Sequence, residues 1–276
     1  MPHTVKDLEK SRIKGFRPKH IFGLILKEFL NLSDNLKILD LGCGSGFFTR
    51  ILAVQCKMDI TGVDIDKKLL EGARKIAKKE GLDIKYEVGD ITNIKLKNNS
   101  FDIVMCDIML EIFKDITKPL KEMKRVCKAG GIVAAIEPFY KASVVYYPGV
   151  DKETRDLLLK FSRADRAFGL GPMLPHYFQT VGLEDIELIT WFWGTIGYKT
   201  LEFETIQEKL QSMNENLKQI KKILPRSKEL TKKEQQKTIH FYEERLKFCK
   251  ENPDELKTNM SVSGLPVFIV KGSKRS

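Results

Sequence analysis

Ile38-Leu39-Asp40-Leu41-Gly42-Cys43-Gly44-Ser45-Gly46-Phe47-Phe48-Thr49 is the stretch on which the fold turns. An apolar run ends in three alternating glycines, and an amphipathic run follows, the pattern of a strand that enters a tight turn and leaves as a helix. Glycines there let the main chain approach a ligand that a Cβ would repel, and a helix start beyond them presents unpaired N–H groups. The spacing also excludes. A dinucleotide pyrophosphate turn needs Gly-x-Gly-x-x-Gly, whereas Gly42 and Gly44 are followed at the last position by Phe47. Nicotinamide-dependent hydride transfer is not expected.

Two carboxylates downstream end runs of the same kind. Ile60-Thr61-Gly62-Val63-Asp64 closes on an acid 18 residues after Gly46, where a carboxylate can accept both hydroxyls of a ribose. Val88-Gly89-Asp90-Ile91 closes on an acid that can accept from an adenine amino group, with Ile91 as an apolar neighbour for the ring. In an open parallel sheet, ligands bind beyond the carboxyl ends of the strands, so these three ends converge on one crevice. Each also has a plainer role, Asp64 and Asp90 as caps and the glycines as a tight turn.

Further out, residues 37–40, 59–64, 84–88, 101–106 and 131–136 read as buried strands. Helical patterns separate them at 47–56, at 67–80 with Asp66 as N-cap, and at 117–128, halted by Gly130-Gly131. This alternation predicts a parallel sheet covered by helices. After an irregular aromatic stretch come helical patterns at 151–162 and 174–181, a sixth strand at 186–193 and a last strand at 265–271. Between the last two, Ile206, Leu210, Met213, Leu217, Ile220 and Leu224 share a stripe, as do Ile239, Tyr242, Leu246 and Cys249. Pro225 separates the two, and Thr231 with Glu234 is set for a capping box, so a helical hairpin is expected. Its stripe is read as core packing, a lid or a dimer contact. The expected division is an N-terminal helical arm (1–36), a core (37–198), the hairpin (199–258) and the last strand with a basic tail (259–276).

Composition limits the function classes. The 276 residues suffice for one large domain or two small ones. Apolar runs such as 132–136 fall far short of the roughly 18–20 residues a bilayer span needs. The N-terminus lacks the apolar stretch of a secretory signal, so a cytoplasmic protein without membrane insertion is expected. The five cysteines are scattered and never spaced C-x-x-C, so no metal site is expected and most thiols should be buried and reduced. A net charge of +11 raises nucleic acid as a partner, but the excess is Lys interleaved with Glu at helical spacing, the mark of a solvated face.

Taken together, Leu39 to Gly46, Thr61 to Asp66, Gly89 to Ile91, Phe101 to Leu110 and Lys124 to Gly131 make the chain similar to the class I S-adenosylmethionine-dependent methyltransferases. It resembles in particular the branch of the ubiquinone and menaquinone biosynthesis methyltransferases. The resemblance implies an α/β, doubly wound Rossmann-like sheet of seven strands, the last antiparallel, flanked by helices; the hairpin inserted before that last strand departs from the family's minimal fold. It implies S-adenosyl-L-methionine as cofactor and S-adenosyl-L-homocysteine as product. Gly42, Gly44 and Gly46 would line its methionine side, Asp64 bind the ribose, and Asp90 and Ile91 hold the adenine. Cys106 or Asp107 would lie near the sulfonium, and Asp40 and Ile65, within the same motifs, complete the cofactor set.

Methyl transfer from a sulfonium is an in-line displacement with a leaving group already activated. Holding the reactants about 3–3.5 Å apart in a water-poor pocket can remove about 7–11 kcal/mol of barrier. A general base is needed only where the acceptor must lose a proton, and Glu111, Glu137, Tyr140 and His176 are candidates without a motif behind them. Trp191 and Trp193 share one strand face, as core or as pocket wall together with the aromatics of 140–147. Arg12, Phe16 and Arg17 are read as a solvated arm or as a cover for the cofactor carboxylate. The expected activity is methylation of a small or lipid-like acceptor. The alternatives are an RNA or protein methyltransferase gripping a macromolecule with its basic N-terminus and hairpin, and a non-catalytic protein that binds the cofactor and offers the hairpin to a partner or a second copy.

Overall fold

The computed structural model describes residues 4–6, 8–9, 19–146, 150–163, 169–197, 206–227, 230–253 and 261–275. Its strands are β1 (Lys37–Leu41), β2 (Asp59–Asp64), β3 (Lys85–Val88), β4 (Phe101–Asp107), β5 (Cys127–Pro138), β6 (Val144–Tyr146), β7 (Glu184–Gly197) and β8 (Ser261–Ser273). The helices described below are α1 (Lys19–Phe29), α2 (Phe47–Ala53), α3 (Lys67–Lys79), α4 (Thr117–Val126), α5 (Lys152–Arg163), α6 (Leu174–Thr180), α7 (Ile206–Ile223) and α8 (Lys232–Glu251). The sheet runs β3-β2-β1-β4-β5-β8-β6, with β7 also on β8. The first five strands are mutually parallel, and β8 is antiparallel to β5 from Ile132↔Ser273 to Pro138↔Val267.

The seven expected strands are present, together with β6, which the sequence reading left in an irregular stretch. Its three residues cover the overhang of β8 at Val262–Gly264, whose main-chain groups would otherwise lack a ladder. Helix α4 ends two residues before its expected limit. Asn99 N and Ser100 N take the carbonyls of Arg125 and Val126, and Cys127 turns extended to begin β5.

Contacts divide the chain into two units. The first comprises Met1–Phe139, Leu170–Trp193 and Val267–Ser276. Apolar residues cover both faces of its central strands, as parallel sheets require. On one face Leu120, Met123 and Val126 of α4 and Leu174 and Phe178 of α6 pack with Leu39, Leu41, Val104 and Val133. Phe22 of α1 meets Phe48 of α2 edge-on, with ring centroids 5.6 Å apart, and the half-buried Trp191 at 5.2 Å, so Trp191 packs against α1. The side chain of Trp193 lies outside the described residues. Helix α3 starts where its cap predicts, with Asp66 Oδ1 accepting from Lys68 N and Leu69 N.

The second unit comprises Tyr140–Gly169 and Gly194–Pro266. Helices α7 and α8 lie against each other, joined through the turn Leu224–Arg226, and α8 opens on the Thr231/Glu234 capping box. Residues 140–169, β6 among them, group here and not with the first unit, unlike the expected 37–198 core. The cause is apolar: Leu157 of α5 clusters with Leu224, Leu230, Ile220 and Ile239. No helix of the described residues is long and apolar enough to cross a membrane.

Candidate active site

Strand order reverses between β1 and β4: the chain goes from β1 to β2 on one side, and β4 begins the other half. A ligand crevice opens at such a point. The register aligns the strand ends there, with Leu41 beside Val63 and Cys106, and Asp64 beside Val88. The glycine turn is pinned to the neighbouring strand, because Gly42 N and Cys43 N both donate to Val63 O, at 2.7 and 3.0 Å. At two positions only glycine fits. Gly42 has φ 68° and a Cβ there would stand 2.4 Å from Met109 Cγ, while Gly46 has φ 73° and its Cβ would stand 2.3 Å from Tyr86 Oη.

Asp64 is held by the main chain on both sides. Its Oδ2 accepts from Gly44 N and its Oδ1 from Asp66 N, each at 2.8 Å. An ionised carboxylate has about four acceptor positions, so about two remain for other donors. Ile65 beside it is 72% exposed, an apolar side chain facing water at the strand end. Asp90 is exposed too, and Oδ1 accepts from Thr92 N and Oγ1, both at 2.8 Å, which keeps its carboxyl below the usual range. Locally Asp90 is thus a turn cap, and Ile91 is buried behind it.

The remaining expected cofactor residues are placed less openly. Asp40 is buried and its Oδ2 accepts from Thr49 Oγ1 at 2.6 Å, tying β1 to α2. Cys106 points into the core, where burial pushes its thiol well up, so what it offers a ligand is main chain. Asp107 follows at the strand end, also buried. These acids act together. After burial, the causes that raise the Cys43 thiol are Asp40 and Asp64, and those that raise Cys106 are Glu137, Asp107 and Asp40. A chain of net charge +11 thus gathers the carboxyl groups of Asp40, Asp64 and Asp107 at these strand ends.

Of the candidate bases, Glu137 is fully buried. Its Oε1 accepts from Met109 N at 2.9 Å and Leu110 N at 2.6 Å, and burial raises its carboxyl well above the ordinary range. It supports the turn after β4, where Ile108 adopts φ 43°, a conformation costing about 1–3 kcal/mol for a side chain of this kind. Glu111 is half-buried on the same turn, and His176 is exposed on α6 with its ring 5.7 Å from that of Tyr177. Tyr140 is buried in the second unit, its carbonyl accepting from Ser143 N and Oγ.

Sequence reasoning missed the contacts on the outside of the glycine turn. Arg50 is 1% exposed and donates to Ser45 O at 2.8 Å, Glu9 Oε2 at 2.6 Å and Glu80 Oε2 at 3.1 Å. Ser45 Oγ donates to Glu9 Oε1 at 2.5 Å, and Leu8 Cδ1 lies 3.2 Å from where a Gly44 Cβ would be. Residues 8 and 9 therefore rest on the turn. Nothing in the spacing of Glu9, Ser45 and Arg50 announces this, since the partners meet only in the fold. Arg12, Phe16 and Arg17 lie outside the described residues.

A family model described as a methyltransferase domain matches residues 39–135, the span from the glycine turn to the middle of β5. The chain is 37% identical over 130 residues to a demethylmenaquinone methyltransferase of Staphylococcus epidermidis, covering 46% of this chain and 53% of that one. It is 30% identical over 118 residues to a ubiquinone biosynthesis O-methyltransferase of Coxiella burnetii, covering 42% and 50%. The chain spans about half the length of these curated relatives. The fold also matches phosphoethanolamine N-methyltransferase 2 of Haemonchus contortus, solved in complex with S-adenosyl-L-methionine, at a TM-score of 0.55 and 20% identity over 99% of this chain and 58% of that one.

Proposed function

We propose that the protein transfers a methyl group from S-adenosyl-L-methionine to a small, lipid-like acceptor of quinone type, by in-line displacement. The observation that carries this reading is Asp64, bound to Gly44 N and Asp66 N at the reversal of strand order, with acceptor capacity left for ribose hydroxyls. The donor fits the other residues of the edge. Ile65 offers an exposed apolar face for adenine, the acidic strand ends favour a sulfonium, and the glycine turn leaves no Cβ in the way. The quinone class is supported by the names of the relatives that share the domain.

When bound, the donor supplies a methyl carbon on a positively charged sulfur. The chain's own work is positioning. Asp64 and the glycine turn orient the nucleoside end, and the exit of β4 with Asp107 and Met109 walls the reacting end. Held in line by the glycine turn and the exit of β4, the bound donor would pass its methyl carbon to an electron pair of the acceptor, a lone pair on a heteroatom or a π pair on a ring carbon, and the carbon–sulfur pair would stay on sulfur as a neutral thioether. Where the acceptor is a hydroxyl or a ring carbon, its proton leaves to Glu111 or to water. Acceptor choice resides outside residues 39–135, in segments that the family match does not reach.

Calorimetric titration with S-adenosylhomocysteine tests the donor site. The parent binds, and Asp64→Ala loses hydrogen bonds to a charged group worth about 1.5–3 kcal/mol, a weakening of about 10- to 100-fold. Equal affinity in the two proteins would falsify the ribose assignment. Transfer of labelled methyl to a demethylated quinol, compared with a structured RNA, tests the acceptor class.

A further inference from the structure

Three consecutive N–H groups leave the end of β4, and all turn toward the end of β5. Ile108 N donates to Ile136 O at 2.8 Å, and Met109 N and Leu110 N donate to one oxygen, Glu137 Oε1, at 2.9 and 2.6 Å. Successive amides converge on a point where the backbone changes hand, and Ile108 makes that change at φ 43°, an angle β-branched residues avoid. The collecting side chain is 0% exposed, and its Oε2 is buried without a hydrogen-bond partner among the described residues. A carboxyl that keeps its proton tolerates this environment far better than a carboxylate. Its acidic neighbours are Glu111 of the turn and Asp107 of β4, with the Cys106 thiol also near, and burial first, then Glu111 and Asp107, raise its ionisation range.

The turn so held carries Met109, whose Cγ occupies the space a Cβ on Gly42 would need. The end of β5 is thereby linked through Met109 to the glycine turn across the reversal point. We propose that Glu137 is a positioning residue for the donor site: by gathering the amides of Met109 and Leu110 it fixes Met109 against Gly42, and with it the width of the crevice that receives the sulfonium donor. This rests on the donor reading given above. Glu137 itself touches neither donor nor acceptor.

The experiment measures S-adenosylhomocysteine affinity by calorimetry, beside a thermal melt, for the parent, Glu137→Gln, Glu137→Ala and Glu137→Ala/Ile108→Gly. The glutamine keeps an acceptor for both amides, so its affinity stays within about threefold of the parent. The alanine frees the turn and weakens binding by about tenfold or more, because a small misplacement at such a site is costly. Should that variant fail to fold, the added glycine adopts the turn's positive φ without strain and restores folding, while affinity stays low because the amides remain unheld. If the double variant, or a folded Glu137→Ala, binds as tightly as the parent, the proposal is overturned. A parent that binds no S-adenosylhomocysteine sinks the functional reading instead, which separates the two failures.

Discussion

At the sheet edge of the first unit, Asp64 and Glu137 are held by main-chain N–H groups, Asp40 by a buried hydroxyl, and Arg50 joins two carboxylates at 1% exposure. In the second unit Lys160–Glu234, Lys237–Glu153 and Lys221–Glu243 also pair at 2.8, 2.7 and 2.5 Å, but with side chains from 31% to 81% exposed. Water can replace a lost partner in the second case and not in the first. Similar distances thus conceal different energies: polar contacts at the edge specify one geometry, whereas the helical unit rests on Leu157, Leu224 and Leu230.

The largest effect expected from this contrast is at Arg50. Arg50→Met takes the donor from Glu9 Oε2 and from the Ser45 carbonyl, leaving Glu9 only its bond from Ser45 Oγ, and should cost about 3–5 kcal/mol in denaturant unfolding. A loss below about 1 kcal/mol would place this network with the exposed pairs.

Next comes pH. The folded protein holds the Glu137 proton above the carboxyl's ordinary value of 4.5, whereas the unfolded chain releases it there. Stability from this group is complete below about 4.5 and falls as pH rises above it, with a ceiling of about 1.4 kcal/mol per pH unit for one proton. Glu137→Gln should flatten the part of the profile that lies above about pH 4.5, and an unchanged slope would refute the assignment. Glu234 acts with the opposite sign. Lys160 and Thr231 lower its carboxyl from 4.5 to about 2, so its contribution is present above 4.5 and lost toward pH 2.

Smaller still is the cap of α8. Thr231→Ala should cost about 1 kcal/mol in the same unfolding assay, since it removes one side of the capping box. Lys237→Ala breaks the pair with Glu153 and should change stability by about 0.5 kcal/mol or less, fading with added salt. A cost near that of Arg50→Met would erase the contrast between the units.

Much of the first unit was legible because local rules and the global fold agree there. Asp66 caps α3 where a short polar residue before a helical stripe says it should, and the β-branched runs ending at Leu41 and Asp64 lie side by side. Candidate bases were harder. Glu137 looked available in the sequence, but whether a carboxyl faces water depends on what covers it, and here β8 and the turn after β4 do so. The irregular aromatic stretch after Pro138 marks a break in the sequence, but nothing local says which partner residues 140–169 take. Leu157 finds its neighbours on helices more than sixty positions later.

Patterns a few residues long were enough to establish the order of strands and helices, the three glycines after β1, and the acids at the ends of β2 and after β3, since each is enforced by main-chain geometry within its own segment. Only folding in three dimensions decided that Arg50 would bind Glu9, that Glu137 would close on two amides from β4, and that a basic chain would carry an acidic edge at the crevice. Burial and charge at a point are sums over neighbours distant along the chain, and no local pattern records them.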